Sequence, residues 1–161
     1  MYFSALLVTL LAAVAVRAFP TGVPPSVCES MMPGHGVPPQ TSPSPYDIII
    51  EKTNLQRGQS TKITIKGQKD ATFRGIFVQA RGDKDTPIGR FTVSDNDGKL
   101  LDCGEGEENA VSHINASDKK EITVVWTAPK DYKGEVIIYL TTVKVFDIFW
   151  VKQKSAPITI S

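Results

Sequence analysis

The sequence predicts an all-β chain: an immunoglobulin-like antiparallel β-sandwich of about eight or nine strands, preceded by an extended Pro-rich N-terminal arm. Three observations predict it. From Tyr46 to the end, short runs rich in Val, Ile, Thr, Tyr, Phe and Trp recur about every 8–15 residues, with Gly, Asp, Asn or Pro between them. Runs such as Ser60-Thr61-Lys62-Ile63-Thr64-Ile65-Lys66 alternate polar and apolar residues, which gives a strand one buried and one solvated face. No window sustains an apolar period of 3.6 residues between caps. A closed barrel is the structural alternative.

Residues 2–16 are almost wholly apolar, and Val16-Arg17-Ala18 follows with small residues where a signal peptidase reads. This predicts a secretory signal peptide over residues 1–18, cleaved between Ala18 and Phe19. The run is shorter than the roughly 20 apolar residues of a membrane span, and no other stretch of that length follows, so no transmembrane anchor is expected. With Arg17 removed, basic and acidic residues balance. That excludes an electrostatic nucleic-acid binder and a strongly cationic membrane-lytic peptide. The expected organisation is one domain over 19–161, with the arm over 19–45 and the sandwich over 46–161.

The arm carries prolines at 20, 24, 25, 33, 38, 39, 43 and 45. Proline fixes φ and removes a backbone donor, so neither a helix nor a central strand fits there. Cys28 lies inside the arm, and the other cysteine is Cys103. In a secreted chain an even pair commonly forms a disulfide, and two cysteines allow one connectivity. Two free thiols or half of a metal site are the alternatives. A bridge would pin the arm to the body.

Strands are expected at Tyr46–Glu51, Ser60–Lys66, Phe73–Arg81, Ile88–Val93, Lys99–Cys103, Ala110–Ile114, Glu121–Trp126, Glu135–Val143, Lys144–Lys152 and Pro157–Ile160. Leu55–Gln59 reads as a turn, as does Ser94–Lys99. In the third strand Ile76 and Val78 share one face, and Phe77 and Gln79 the other. Gly75 marks a bend or a close backbone approach.

Reaction chemistry has no constellation in this chain. His35 and His113 are far apart, without a neighbouring zinc-type cluster, and no G-x-S-x-G context surrounds a serine. No catalytic residue, metal or cofactor is expected, and the chain is not read as an enzyme. Asp95-Asn96-Asp97-Gly98 opens like a calcium loop but lacks the closing Glu; turn chemistry accounts for it, and solvation accounts for Glu105–Glu108. Asn115-Ala116-Ser117 is a glycosylation sequon in an expected turn. Arg81-Gly82-Asp83 spells an adhesion tripeptide, for which a strand end followed by a turn is the bland reading. The aromatics of Phe146–Trp150 suit a binding patch or, more commonly, the core.

Cys28-Glu29-Ser30-Met31-Met32-Pro33-Gly34-His35-Gly36, then Gln40 and Ser44-Pro45-Tyr46, resembles the opening of a Reeler (reelin-type) domain. Phe73–Arg81, the Cys103 region, Val125–Pro129 and Phe149-Trp150-Val151 resemble it further, in order and in spacing. The resemblance runs from about Cys28 to the C-terminus and extends to the stand-alone insect haemolymph defence members of the family. It implies an immunoglobulin-like fold, a Cys28–Cys103 disulfide and secretion into haemolymph. It also implies an innate-immune role: binding microbial surface components (lipopolysaccharide, glucan or similar) and haemocytes, impeding microbes or promoting nodules. The family supplies no ligand-binding residues to carry over. An extracellular adhesion or matrix protein acting through Arg81, Gly82 and Asp83 is the alternative.

Overall fold

A computed structural model describes residues 23–94 and 98–161. The expected signal peptide and its cleavage point fall outside these residues, as do Asp95, Asn96 and Asp97 of the Ser94–Lys99 turn.

Among the described residues eleven strands form: β1 (Tyr46–Ile50), β2 (Asn54–Leu55), β3 (Ser60–Gly67), β4 (Gly75–Arg81), β5 (Arg90–Thr92), β6 (Lys99–Leu101), β7 (Ala110–Ser112), β8 (Glu121–Thr127), β9 (Gly134–Val145), β10 (Ile148–Lys154) and β11 (Ile158–Ile160). They make two sheets. One has the order β1-β3-β8-β5; the other runs β2-β11-β9-β4-β7-β6, with β10 also on β9. All pairings are antiparallel except the short β2–β11 ladder. The long β9 holds β4 along one edge, while its other edge takes β11 at Gly134–Val136 and β10 from Tyr139 to Val145.

One short strand, β2, is additional to those expected. β2 is only two residues long, too short to carry a period, and is defined by its parallel partner near the C-terminus. The expected Lys144–Lys152 strand divides differently, because β9 continues through Val145 and the chain reverses at Phe146-Asp147 before β10. The fifth strand starts later than expected. Gly89 sits at φ +72°, a left-handed conformation that breaks the ladder before Arg90.

Alternation delivers the inner faces. Ile63 and Ile65 of β3, Ile122, Val124 and Trp126 of β8 and Phe91 of β5 meet Ile76, Val78 and Ala80 of β4 and Val136, Ile138 and Leu140 of β9. Trp126 is fully buried, and its indole N–H donates to Ile88 O at 3.0 Å, so the polar end of the largest core side chain is satisfied.

A second cluster lies on the outer face of the larger sheet. Met31, Phe77, Leu101, Cys103 and Ala110 are buried there, with Val23, Val27 and Tyr139 packed around them. The arm makes this layer. It is not simply extended: Pro25–Val27 forms a 3₁₀ turn, with Pro at its start where the missing N–H costs nothing, and Met31 N–H donates to Val27 O at 2.7 Å. Further along, Gln40 N–H reaches Phe149 O at 2.9 Å, and Trp150 Nε1 reaches Ser42 O at 2.9 Å. The arm therefore lies across β4 and β9 and then along β10. All seven residues of β4 are buried, one face against the core and the other beneath the arm.

Candidate functional site

The outer face of β4 is built to hold the arm. Cys28 and Cys103 form a disulfide, with Cα atoms 5.6 Å apart. Beside it, the Gln79 amide nitrogen donates to Cys28 O at 3.0 Å. Arg81 Nη2 donates to Cys28 O at 2.7 Å and to Glu29 O at 3.1 Å, and Arg81 also donates twice to Gln79 Oε1. The guanidinium lies 5.2 Å from the Tyr139 ring centroid, within cation–π range. Its ion-pair partner is the exposed Asp85, at 3.3 Å. A buried charge is tolerated where its donors are this fully occupied.

This geometry bears on the Arg81-Gly82-Asp83 tripeptide. The Arg81 side chain is 1% exposed, so it points into the molecule and not toward a receptor. A Cβ on Gly82 would stand 2.8 Å from Tyr132 Oη and 2.9 Å from Ile88 Cδ1, so the glycine serves a tight packing contact. Asp83 N–H is received by Tyr132 Oη at 3.3 Å. An adhesion loop requires a displayed arginine, and here it is an internal anchor.

Where the arm spans the end of β4 and β9, it leaves an apolar cleft of about 210 Å³. Its walls include Val27 and Met31 of the arm, Ile76 and Phe77 of β4, and Val143 and Val145 of β9. Met32 and Phe146, both among the exposed large apolar residues, stand at its rim. Met31 takes φ +53°, a left-handed conformation that costs an L-residue about 1–2 kcal/mol and is offset by its full burial. Gly75 belongs to the floor. A Cβ there would lie 3.2 Å from Val143 Cβ and 3.3 Å from His113 Cε1, so the glycine makes room for side chains and not for the close backbone approach expected.

Both histidines of the chain line this cleft, although 78 positions separate them in sequence. His35 stacks on Phe146 with ring centroids 4.6 Å apart and meets Phe149 edge-on at 5.3 Å; its Nδ1 is buried without a hydrogen-bond partner. His113 Nδ1 lies 3.3 Å from both Ser112 Oγ and Ile76 O. The structure brings the pair to one cavity, but among the described residues no three His, Cys, Asp or Glu side chains converge as a metal site. The aromatic run splits three ways: Phe146 stands at the rim, Phe149 is fully buried, and Trp150 packs edge-on against Tyr46 at 5.6 Å.

The remaining motifs lie elsewhere. Asn115 is exposed, and its Oδ1 accepts from Ser117 N–H, Ser117 Oγ and Lys119 Nζ. Burial lowers the Lys119 pKa. In the acidic run, Glu107 and Glu108 pair with Arg90, and the buried Asn109 clamps both backbone groups of Cys103. Sequence reading missed the cleft because its residues come from four distant segments. A usable signal was present: Val23, Val27, Met31 and Met32 are apolar residues in an arm with no strand of its own to bury them.

Together the two sheets, the single disulfide and the roofed outer face define a disulfide-pinned β-sandwich of immunoglobulin-like class. The chain belongs to the Reeler domain family, whose profile matches residues 26–161. It is 44% identical over 161 residues to "Putative defense protein 3" of Antheraea mylitta, covering 99% of this chain and 98% of that one. It is also 35% identical to "Putative ferric-chelate reductase 1" of Danio rerio, matching 89% of this chain but 25% of that protein. The crystal structure of the human F-spondin reeler domain superposes with a TM-score of 0.63 at 16% identity, covering 78% of this chain and 94% of that domain, a likeness of fold. Among the described residues no helix is long and apolar enough to cross a membrane.

Proposed function

We propose that this is a secreted innate-immune defence protein that binds microbial surface components and haemocytes, impeding microbes or promoting nodules by binding and not by catalysis. The observation that carries the reading is the 44% identity to a protein named for defence, over nearly the whole length of both chains. The match to the reductase covers one quarter of that protein, so its activity is not carried over. The apolar cleft with an exposed Met32 and Phe146 rim supplies a surface suited to a ligand. The adhesion alternative through Arg81 has no exposed guanidinium to work with.

Retention of the purified protein on immobilised lipopolysaccharide, on β-glucan and on whole bacteria tests this reading. Binding to at least one is expected. No retention on any of the three rejects microbial recognition.

A further inference from the structure

We infer that the cleft under the arm takes a single hydrocarbon chain, the acyl chain of an anionic amphiphile; this rests on the microbial-surface reading and names the part of the surface it would grip. Size comes first. An apolar cavity of about 150 Å³ accommodates benzene, whereas drug-sized ligands occupy about 300–1,000 Å³. At about 210 Å³ the cleft takes one narrow chain, in proportion about eight carbons, and excludes a sugar ring carrying its hydration or a folded partner.

Lining chemistry comes second. The walls are mostly Val, Met, Ile and Phe, and of the polar members Thr141 and His113 are engaged, while His35 Nδ1 is buried without a partner. Thr141 Oγ1 donates to Met31 O at 2.9 Å and accepts from Lys152 N–H at 3.2 Å, and His113 Nδ1 has its contacts to Ser112 and Ile76. Away from His35 Nδ1, a ligand hydroxyl or amide would enter without a partner, which is unfavourable; a methylene would not. Met31 and Met32 are flexible thioethers that can close around chains of different shape. The rim of Met32 and Phe146 continues the apolar track outward.

Charge comes third. Arg74 belongs to the lining, and half of its side chain is exposed. Its partner Asp118, at 2.8 Å, is exposed too. Pairs of this kind contribute little, so a carboxylate or phosphate headgroup can replace Asp118 at small cost.

The test is calorimetric titration of the whole secreted protein with hexanoate, octanoate, decanoate and dodecanoate. Each methylene entering the cleft should tighten binding about fourfold, the equivalent of about 0.8 kcal/mol, with the gain falling off beyond about eight carbons. A flat series overturns the inference. Val143→Trp and Val27→Trp fill the cleft from opposite walls at half-buried positions. Displacing about two methylenes, each should weaken decanoate about fifteenfold. Two variants guard against one misfolding, checked by near-ultraviolet dichroism, and unchanged affinity in a folded variant overturns the inference. Arg74→Gln should weaken decanoate and leave decanol unchanged; equal effects on both overturn the headgroup contact.

Intact lipopolysaccharide and its deacylated polysaccharide then separate the two claims. Decanoate binding without retention on any microbe keeps the cleft and rejects the microbial reading. Equal retention of intact and deacylated forms, unaffected by Val143→Trp, keeps the microbial reading and rejects the cleft.

Discussion

Replacing Arg81 with Ala should destabilise the fold because the side chain fastens the arm to the sheet. Two acceptors, Glu29 O and Gln79 Oε1, lose the Arg81 donor, while Cys28 O keeps the Gln79 amide. A buried acceptor left unsatisfied costs about 1–3 kcal/mol. The Asp85 ion pair adds little, since that carboxylate is exposed. A polar cleft lined by Cys28, Glu29 and Arg81 itself lets water reach part of the vacated space, which favours the low end for each acceptor. The expected loss is about 2 kcal/mol, or a fall in Tm of about 6 °C for a chain of this size. Arg81→Lys restores one cation without the planar fork and should fall between. Asp83→Ala, on the exposed turn, should shift stability by less than about 0.5 kcal/mol. Differential scanning calorimetry with the disulfide intact gives these numbers, and a haemocyte attachment assay runs beside it. An Arg81→Ala protein with unchanged Tm, together with an Asp83→Ala protein that loses attachment, would refute the anchoring role and restore the adhesion reading.

Other perturbations follow from the same geometry. Changing Cys28 and Cys103 together to Ser releases a 75-residue loop and should cost up to about 4–5 kcal/mol by the chain-entropy account, read from urea denaturation of the oxidised and variant proteins. Gly89→Ala should cost about 2–4 kcal/mol, because Gly89 sits at φ +72° and a Cβ there would meet Thr127 O and Trp126 Nε1, each at 2.5 Å; the same denaturation curves show it. Phe77→Ala should cost about 3–5 kcal/mol and loosen the arm, which limited proteolysis within residues 23–35 would report. Asn115→Gln should abolish a glycosidase-sensitive mobility shift of the protein secreted from insect cells; a shift that persists places the glycan elsewhere.

The inner sandwich was legible because its strands alternate with the period of the pleat: Ile63, Ile65, Ile122 and Val124 mark their faces without help from the rest of the chain. The outer face of β4 was not. The sequence placed Phe77 and Gln79 on one strand face and Arg81 at the strand end, without saying what covers them, and only the arm, some 50 positions earlier, turns that face into a second interior. β2 escaped for a related reason, since two residues carry no period and their ladder partner lies at the other end of the chain. The histidines illustrate the limit at the site. Each stands in an unremarkable local setting, and the cleft they share exists only after the arm has crossed the sheet. Gly75 is a partial case: the sequence suggests a bend or a close backbone approach, and what crowds the position is side chains, since a Cβ there would lie 3.2 Å from Val143 Cβ.

The central claim, that the arm-roofed cleft is where this protein meets a microbial surface, is most directly tested by amide hydrogen exchange with and without lipopolysaccharide. Added protection is expected at residues 23–35, 74–77 and 141–146, with the outward face of β3 and β8 unchanged. Protection confined to β3 and β8, with the arm and the β9–β10 turn exchanging as before, would contradict it.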